Sequence, residues 1–571
     1  MLRKIATALC ALSIISYQLG LLPFFAPLIT SNRDNWWITL GTFLAINLLT
    51  AAVALVRYPI TRVHSLPLLA YCVIAGLISL AHGTGHIERS FLISLTLFLC
   101  TAILSLASDP KQLLRFSASV TLLSATITLG DVLFDDGFTN SIGRAAGFGI
   151  NPNITATTLL VGAGATFWVI PARFAPIFLT VVGGAIIVTL SKSTLLAGIM
   201  VLVGIIGLRF LIDLHQHRDI SYVRKLAKML PIQCGLIALY VILALAVNDR
   251  FRVAFASSYQ TFRFAASAFD TAQEYITKQA AMNAHRAKNK QLLEIEEISE
   301  RVQNEGQVNS ISARALLFKR AWLTYKSGPS DGIGLNAAHR LVPHNTFLLF
   351  AVAFGHLGWL IPLILICLSA YGARNLPQLS LSLCLTAALM FSHDIMLTPV
   401  ALIPVALGLA GQIAQREAPI REIPHQPRWG PAFALLLFVV GTLTCSIEAH
   451  RNRLPIDENL IFPSHGNAYA TTFKRPLYSG VLRVSSIDLL ENGKPLGPEN
   501  ATEDDVITLG RGRNFHVSRT IVFSTSDNTD PRKNGRTYEI ATTSKLHPLS
   551  VVILLILVGW TVVFWARPKL D

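Results

Sequence analysis

Long apolar runs separated by short polar segments dominate the chain. Each is about 17–25 residues long, the length a helix needs to cross the hydrocarbon core of a bilayer. They fall at 5–29, 37–56, 66–82, 91–107, 112–134, 153–171, 174–190, 193–212, 229–247, 345–370, 376–392, 396–414, 431–447 and 548–566. The pattern predicts an all-α polytopic membrane protein with about 12–14 transmembrane helices. The seventh run is the weakest, because Pro171, Pro176 and two glycines interrupt it. The first run follows Arg3 and Lys4, is too long for the apolar region of a cleaved signal and has no small-residue cleavage site, so it reads as a retained signal-anchor.

Two stretches break the apolar rhythm, 248–343 and 448–547. The first contains TAQEYITKQAAMNAHRAKNKQLLEIEEISERVQNEG, a composition that favours helix with a solvated charged face. The second holds the β-rich runs GVLRVSSIDLL, DVITLG, SRTIVFSTS and RTYEIATT, separated by the turn clusters ENGKPLG and DNTDPRKNG. The predicted organisation is therefore helices over 1–247, a largely helical insertion over 248–343, and further helices over 344–447. A small β-domain over 448–547 and a last helix and tail over 548–571 follow. Asp527, Asn528, Asp530 and Asn534 lack the spacing of a helix–loop–helix calcium loop and read as turn-forming residues.

Composition agrees with the pattern: 52% of residues are hydrophobic and only 14% charged, a polytopic membrane balance. Charge placement orients it. With the N-terminus cytoplasmic, the short cytoplasmic segments carry 18 Lys and Arg, among them Arg57, Arg62, Arg173, Arg374 and Arg428. The short loops on the other side carry Arg33, Arg89, Arg144 and Lys192. This positive-inside bias places both termini in the cytoplasm and both hydrophilic segments outside it. It also accounts for the net charge of +15 without a nucleic-acid partner. The seven cysteines all fall in or beside apolar runs, with no paired spacing, and read as packing residues.

Candidate chemistry gathers where apolar runs meet the outer surface. In PHNTFLLFAVAFGHLGWL, His344 stands at the start of a span, with Pro343 suited to the first helical turn. In a straight helix Gly355 lies about 20° and Gly358 about 40° from His344 around the axis, making one face with an imidazole above two small positions. Alone, the stretch reads equally as an interfacial histidine on a glycine-packed helix. His82 and His86 have ligand-like spacing, but Gly83 and Gly85 argue against a helix there. No acidic cluster offers a magnesium site, and Asp131 is the one acidic residue inside the spans.

HNTFLLFAVAFGHLG resembles the histidine motif of the bacterial O-antigen ligase family, with His344, Asn345, Gly355 and Gly358 in register. Upstream, Arg314, Pro329, Gly332 and Gly334 resemble the segment that precedes this histidine in the ligase and Wzy-type polymerase superfamily. GRAAGFGINPNITA resembles the family's Arg-Gly-Asn-Pro-Asn loop through Arg144, Gly147, Asn151, Pro152 and Asn153. LSKSTLLAG resembles its Ser-Arg loop, with Lys192 where arginine is usual, a point charge in place of a bidentate fork. The likeness covers about 91–414 and leaves the β-domain aside.

This resemblance implies a GT-C-like fold and a metal-independent glycosyltransferase with no cofactor. It implies a donor glycan on undecaprenyl diphosphate, a lipid A–core acceptor and a membrane-lipid setting, with the site facing the periplasm of a bacterial inner membrane. His344 is then the expected general base, with Arg314 beside it in catalysis. Arg314, Arg144 and Lys192 are the expected diphosphate ligands, with Arg340 a lesser one for its nearness in sequence to His344, while Arg320 and Lys319 read as solvated charges. A Wzy-type polymerase, a protein O-oligosaccharyltransferase and a lipid-linked glycan transporter are the competing expectations.

Overall fold

A computed structural model describes residues 2–21, 33–133, 143–149, 151–215, 221–252, 254–256 and 310–416. Between 450 and 546 it describes all but 457, 459–460, 465, 473–482, 498–500, 502 and 518–519. The chain divides into two units. The first comprises Met1–Gly20, Leu44–Asp135 and Ile142–Gln426; the second comprises Leu21–Phe43, Asp136–Ser141 and Pro427–Asp571.

The first unit is all helical. Its elements are α1 (Leu2–Ser13), continued by a π-helical turn (Ile14–Gln18), α2 (Arg33–Arg57, which enters this unit at Leu44), α3 (Pro59–His82), α4 (His86–Leu106) and α5 (Pro110–Asp131). Then come α6 (Pro152–Thr166), α7 (Ala175–Val188), α8 (Lys192–His215), α9 (Ser221–Val247), α10 (Ser310–Ser327), α11 (Leu335–His339), α12 (Thr346–Phe354), α13 (Leu360–Gly372), α14 (Leu376–Phe391) and α15 (Pro399–Arg416). Among the described residues five helices are long and apolar enough to cross a membrane, or six if the bent pair α12–α13 is one span. The chain is thus a multi-pass membrane protein. The segments 2–18, 41–57, 175–188, 376–391 and 399–415 supply shorter apolar helices or turns. Residues 257–309 of the insertion predicted over 248–343, and the runs at 431–447 and 548–566, lie outside the described residues, as does Cys445; the six described cysteines are free thiols.

Boundaries follow local chemistry. Asp109 accepts a bond from the Gln112 amide and Asn375 from the Gln378 amide, each supplying an N-cap, with Pro110 directly after the first and Pro377 two residues after the second. His82 ends α3 and His86 starts α4 across Gly83–Gly85, so the two histidines share no helix. Leu348, Leu349, Phe350, Phe354, Leu385, Leu402 and Leu409 build the main core with Phe91 and Phe98.

The expected straight helix over 345–370 is not formed. The α12 and α13 axes are bent by 110°. Gly355 is the hinge, at φ 65° and ψ −151°, a conformation that a side chain excludes. Its missing Cβ leaves room for the backbone of Ser330, and Gly332 likewise lies against the Ala353 carbonyl. The carbonyls freed at the end of α12 are satisfied from this loop: Ile333 N donates to Val352 O at 3.0 Å and Gly334 N to Ala353 O at 2.9 Å. His344 and Gly355 therefore do not share one helix face. Nor does Pro343 begin the helix, since Asn345 is its N-cap.

The second unit contains two antiparallel four-stranded sheets, β1 (His450–Pro455), β8 (Tyr538–Leu546), β4 (Arg483–Glu491) and β5 (Lys494–Pro495) in one, and β2 (Ile461–Pro463), β3 (Tyr469–Thr472), β7 (Thr520–Phe523) and β6 (Asn514–Val517) in the other. Ile461, Ile521 and Phe523 from one sheet share a core with Leu489, Tyr538 and Ile540 from the other. Asn492 (φ 51°) and Gly493 (φ 76°) form the two-residue β4–β5 turn, as Asn-Gly favours. DVITLG departs from expectation. It belongs to α16 (Glu503–Thr508), because Glu503, Asp504 and Asp505 favour a helix N-terminus and Gly510, at φ 61°, sits just beyond its end. In the turn cluster, Asp527 pairs with Arg536 and Asp530 with Arg532.

Candidate active site at one end of the helical bundle

Side-chain hydrogen bonds tie together the helices whose ends carry the candidate residues. Ser380 Oγ donates to Gly164 O at 2.8 Å, which joins the C-terminal part of α6 to the N-terminal part of α14. Thr157 Oγ1 and Thr194 Oγ1 are 3.3 Å apart, which sets the start of α8 beside the start of α6. Asn345 Nδ2 donates to Met390 O at 3.0 Å and Thr346 Oγ1 to Ser392 O at 2.5 Å, which ties the start of α12 to the end of α14.

Around α6, Asn151 is the N-cap, accepting from the amides of Asn153 (3.0 Å) and Ile154 (3.5 Å), and Pro152 opens the helix. Asn153 Oδ1 then accepts from the Arg144 guanidinium at 2.9 Å, while Arg144 Nε donates to Thr189 O at 2.9 Å. Asp131 holds the preceding loop from below, accepting from the amides of Ala146 (2.8 Å) and Gly147 (2.9 Å). Of the matched residues, Asn151 is therefore architectural, and Asn153 aims Arg144. Lys192, half-buried, is the first residue of α8. Just before it Leu190 has φ 51°.

The histidine lies in a turn of the same kind. Val342 (φ 46°) and His344 (φ 49°) are both left-handed, and for β-branched Val342 that is a costly conformation. Asn345 Oδ1 caps α12 through the Leu348 amide at 2.8 Å. His344 meets His393 edge to face, ring centroids 4.9 Å apart, and the His339 ring lies 5.2 Å from that of His393, tilted at 44° to it. His339 Nε2 lies 3.2 Å and His393 Nε2 3.4 Å from the same oxygen, Asp394 Oδ1. Burial alone raises the Asp394 pKa. The hydrogen bond from His339 and the charges of His393, His339 and His344 outweigh it and hold the carboxyl below its ordinary value.

The structure thus brings Arg144 and Asn153 together beside Thr189, three residues before Lys192, and gathers His344 with His339, His393 and Asp394 in a second group next to the Asn345 cap. Arg340 is exposed at the C-cap of α11, one turn before His344. Arg314 belongs to α10, and its side chain lies outside the described residues. Gly355, Gly358, Gly332 and Gly334 shape the hinge. Three residues of the cluster escape a reading of the sequence by motif: His339, His393 and Asp394. Their signal is a His-Asp pair in the short link between two apolar runs, opposite a turn that already carries two histidines.

No family model matches the chain, and no curated protein gives a match to it.

Proposed function

We propose that the chain is a GT-C-type glycosyltransferase that moves a glycan from undecaprenyl diphosphate to a sugar hydroxyl of lipid A–core, at the periplasmic face of a bacterial inner membrane. The observation that supports this reading is the presence, in links between the helices of one membrane unit, of an arginine aimed by Asn153, a lysine at a helix start and a carboxylate-linked imidazole cluster. The helix N-termini at Pro152, Lys192 and Thr346 favour a phosphate group.

The reaction asks for little else. The acceptor oxygen attacks the anomeric carbon and the bond from that carbon to the diphosphate breaks. Its proton passes to neutral His344 as general base. Undecaprenyl diphosphate leaves with added negative charge, which Arg144, Lys192 and Arg314 neutralise, with Arg340 at the rim. Asp394 stays anionic and supports positive charge arriving on the imidazoles. The ligase motif read from His344, Asn345, Gly355 and Gly358 supports the donor class, and the excess of Lys and Arg in the short cytoplasmic loops supports the sidedness.

Purified full-length protein in detergent, given a lipid-linked glycan with lipid A–core, a second lipid-linked glycan or a Ser/Thr peptide as separate acceptors, tests this. Transfer to lipid A–core is the expected result. Transfer to either other acceptor reassigns the chain to polymerase or protein glycosylation, and no transfer in any arm overturns the enzymatic reading.

A further inference from the structure

His339, His393 and Asp394, the groups beside His344, also meet the separate requirements of a metal site. We propose that these three side chains form a binding site for one divalent transition-metal ion of the zinc class, at the junction of the α14–α15 link with the turn after α11. The site goes beyond the transfer reaction and does not rest on it.

The distances carry the proposal. Zinc bonds imidazole nitrogen at about 2.0–2.1 Å and carboxylate oxygen at about 2.0–2.2 Å, so two ligands on a tetrahedral ion stand about 3.4 Å apart. Asp394 Oδ1 is 3.2 Å from His339 Nε2 and 3.4 Å from His393 Nε2. All three ligand atoms lie within 4.8 Å of one another. Closing the remaining nitrogen pair to a tetrahedral edge needs about 1.4 Å of movement at most, within reach of a side-chain rotation. Two imidazoles and a carboxylate leave the fourth position to water.

The frame is stiff. Asp394 O accepts from the Leu397 amide at 3.0 Å and from Thr398 Oγ1 at 3.3 Å, and the link is pinned to α12 through Ser392 O. His339 O accepts from the Val342 amide at 3.1 Å on the opposite wall. His393 is buried, with Ile395, Met396 and Leu397 buried beside it. Ligands on two separately braced segments, over an apolar floor, are the arrangement a preorganised metal site requires. The ion joins the α14–α15 link to the turn that carries His344. An imidazole and carboxylate set suits zinc, cobalt and nickel and not magnesium, which prefers all-oxygen octahedra.

The test uses full-length protein purified without a histidine tag, stripped with chelator and titrated with cobalt and with zinc. The expected result is one ion per chain, with cobalt giving the intense visible absorption of a four-coordinate ion. His393→Ala and Asp394→Ala each remove a ligand, and affinity falls by more than the roughly 10–100-fold that loss of an outer-shell partner costs. His344→Ala, outside the ligand set, binds the ion as the unaltered chain does, which separates this site from the transfer reaction. Absence of stoichiometric binding to the unaltered chain overturns the proposal. So does unchanged affinity in folded His393→Ala and Asp394→Ala, or loss of the ion in folded His344→Ala.

Discussion

Replacing Gly355 by alanine separates the hinged structure from a straight helix by sign. At φ 65° and ψ −151° an L-residue occupies a region open essentially to glycine, at a cost of about 1–3 kcal/mol. The new methyl also collides with the Ser330 carbonyl, a backbone atom that cannot swing away. Moving that loop breaks the bonds from Ile333 N and Gly334 N to the end of α12, each worth about 1 kcal/mol. The sum is a loss of about 3–5 kcal/mol. In a straight helix the same change gains about 1 kcal/mol from propensity. Gly204, in α8 with open space around its Cβ position, is the matched control and should gain on substitution by alanine. Unfolding midpoints of the purified variants in detergent give the comparison. A Gly355→Ala protein as stable as the parent, or more so, refutes the hinge.

Other consequences follow from the same geometry. Asn153→Ala removes the side chain that aims Arg144, so donor binding should weaken about tenfold, the worth of one charge-assisted hydrogen bond of about 1.5 kcal/mol; direct binding of lipid-linked donor checks it. Arg340→Cys, in a background without other cysteines, should react with a membrane-impermeant thiol reagent once the outer membrane alone is opened. Labelling that requires a permeabilised inner membrane inverts the topology. In the β-domain, burial raises the Glu491 pKa, but bonds to Ser526, Tyr538 and Arg536 with the Arg536 charge bring it below its ordinary value. A depressed carboxyl contributes stability that is complete above its unfolded pKa, about 4.3, and is lost as pH falls through the folded value. The destabilisation caused by Arg536→Ala should therefore be largest at neutral pH and shrink below about pH 4, read from exchange protection of the β8 amides.

Much of the helical unit is legible in hydropathy, because a span must be continuous and its ends carry their own signals. Pro110, Pro152, Pro176, Pro377 and Pro399 each stand in the first turn of a helix, within three residues of where the apolar runs open. The hinge at Gly355 is not legible, since PHNTFLLFAVAFGHLGWL is as apolar across the break as within a straight span. The deciding contact is the backbone of Ser330, 25 positions earlier. DVITLG misleads for a related reason: its β-branched residues suit a strand, and the acidic run that turns it into a helix lies just ahead of it. In the site, Arg144 and Lys192 are reachable by motif, while the His339–Asp394–His393 set depends on two loops meeting at the end of α14.

The central claim is best tested by single-turnover transfer from undecaprenyl-diphosphate-linked glycan with the purified His344→Ala protein, alongside donor binding by the same sample. The account predicts a fall of about 10²–10⁴-fold in turnover, the usual reach of general-base catalysis, with donor binding retained. A folded His344→Ala protein that transfers glycan at close to the parental rate would contradict it.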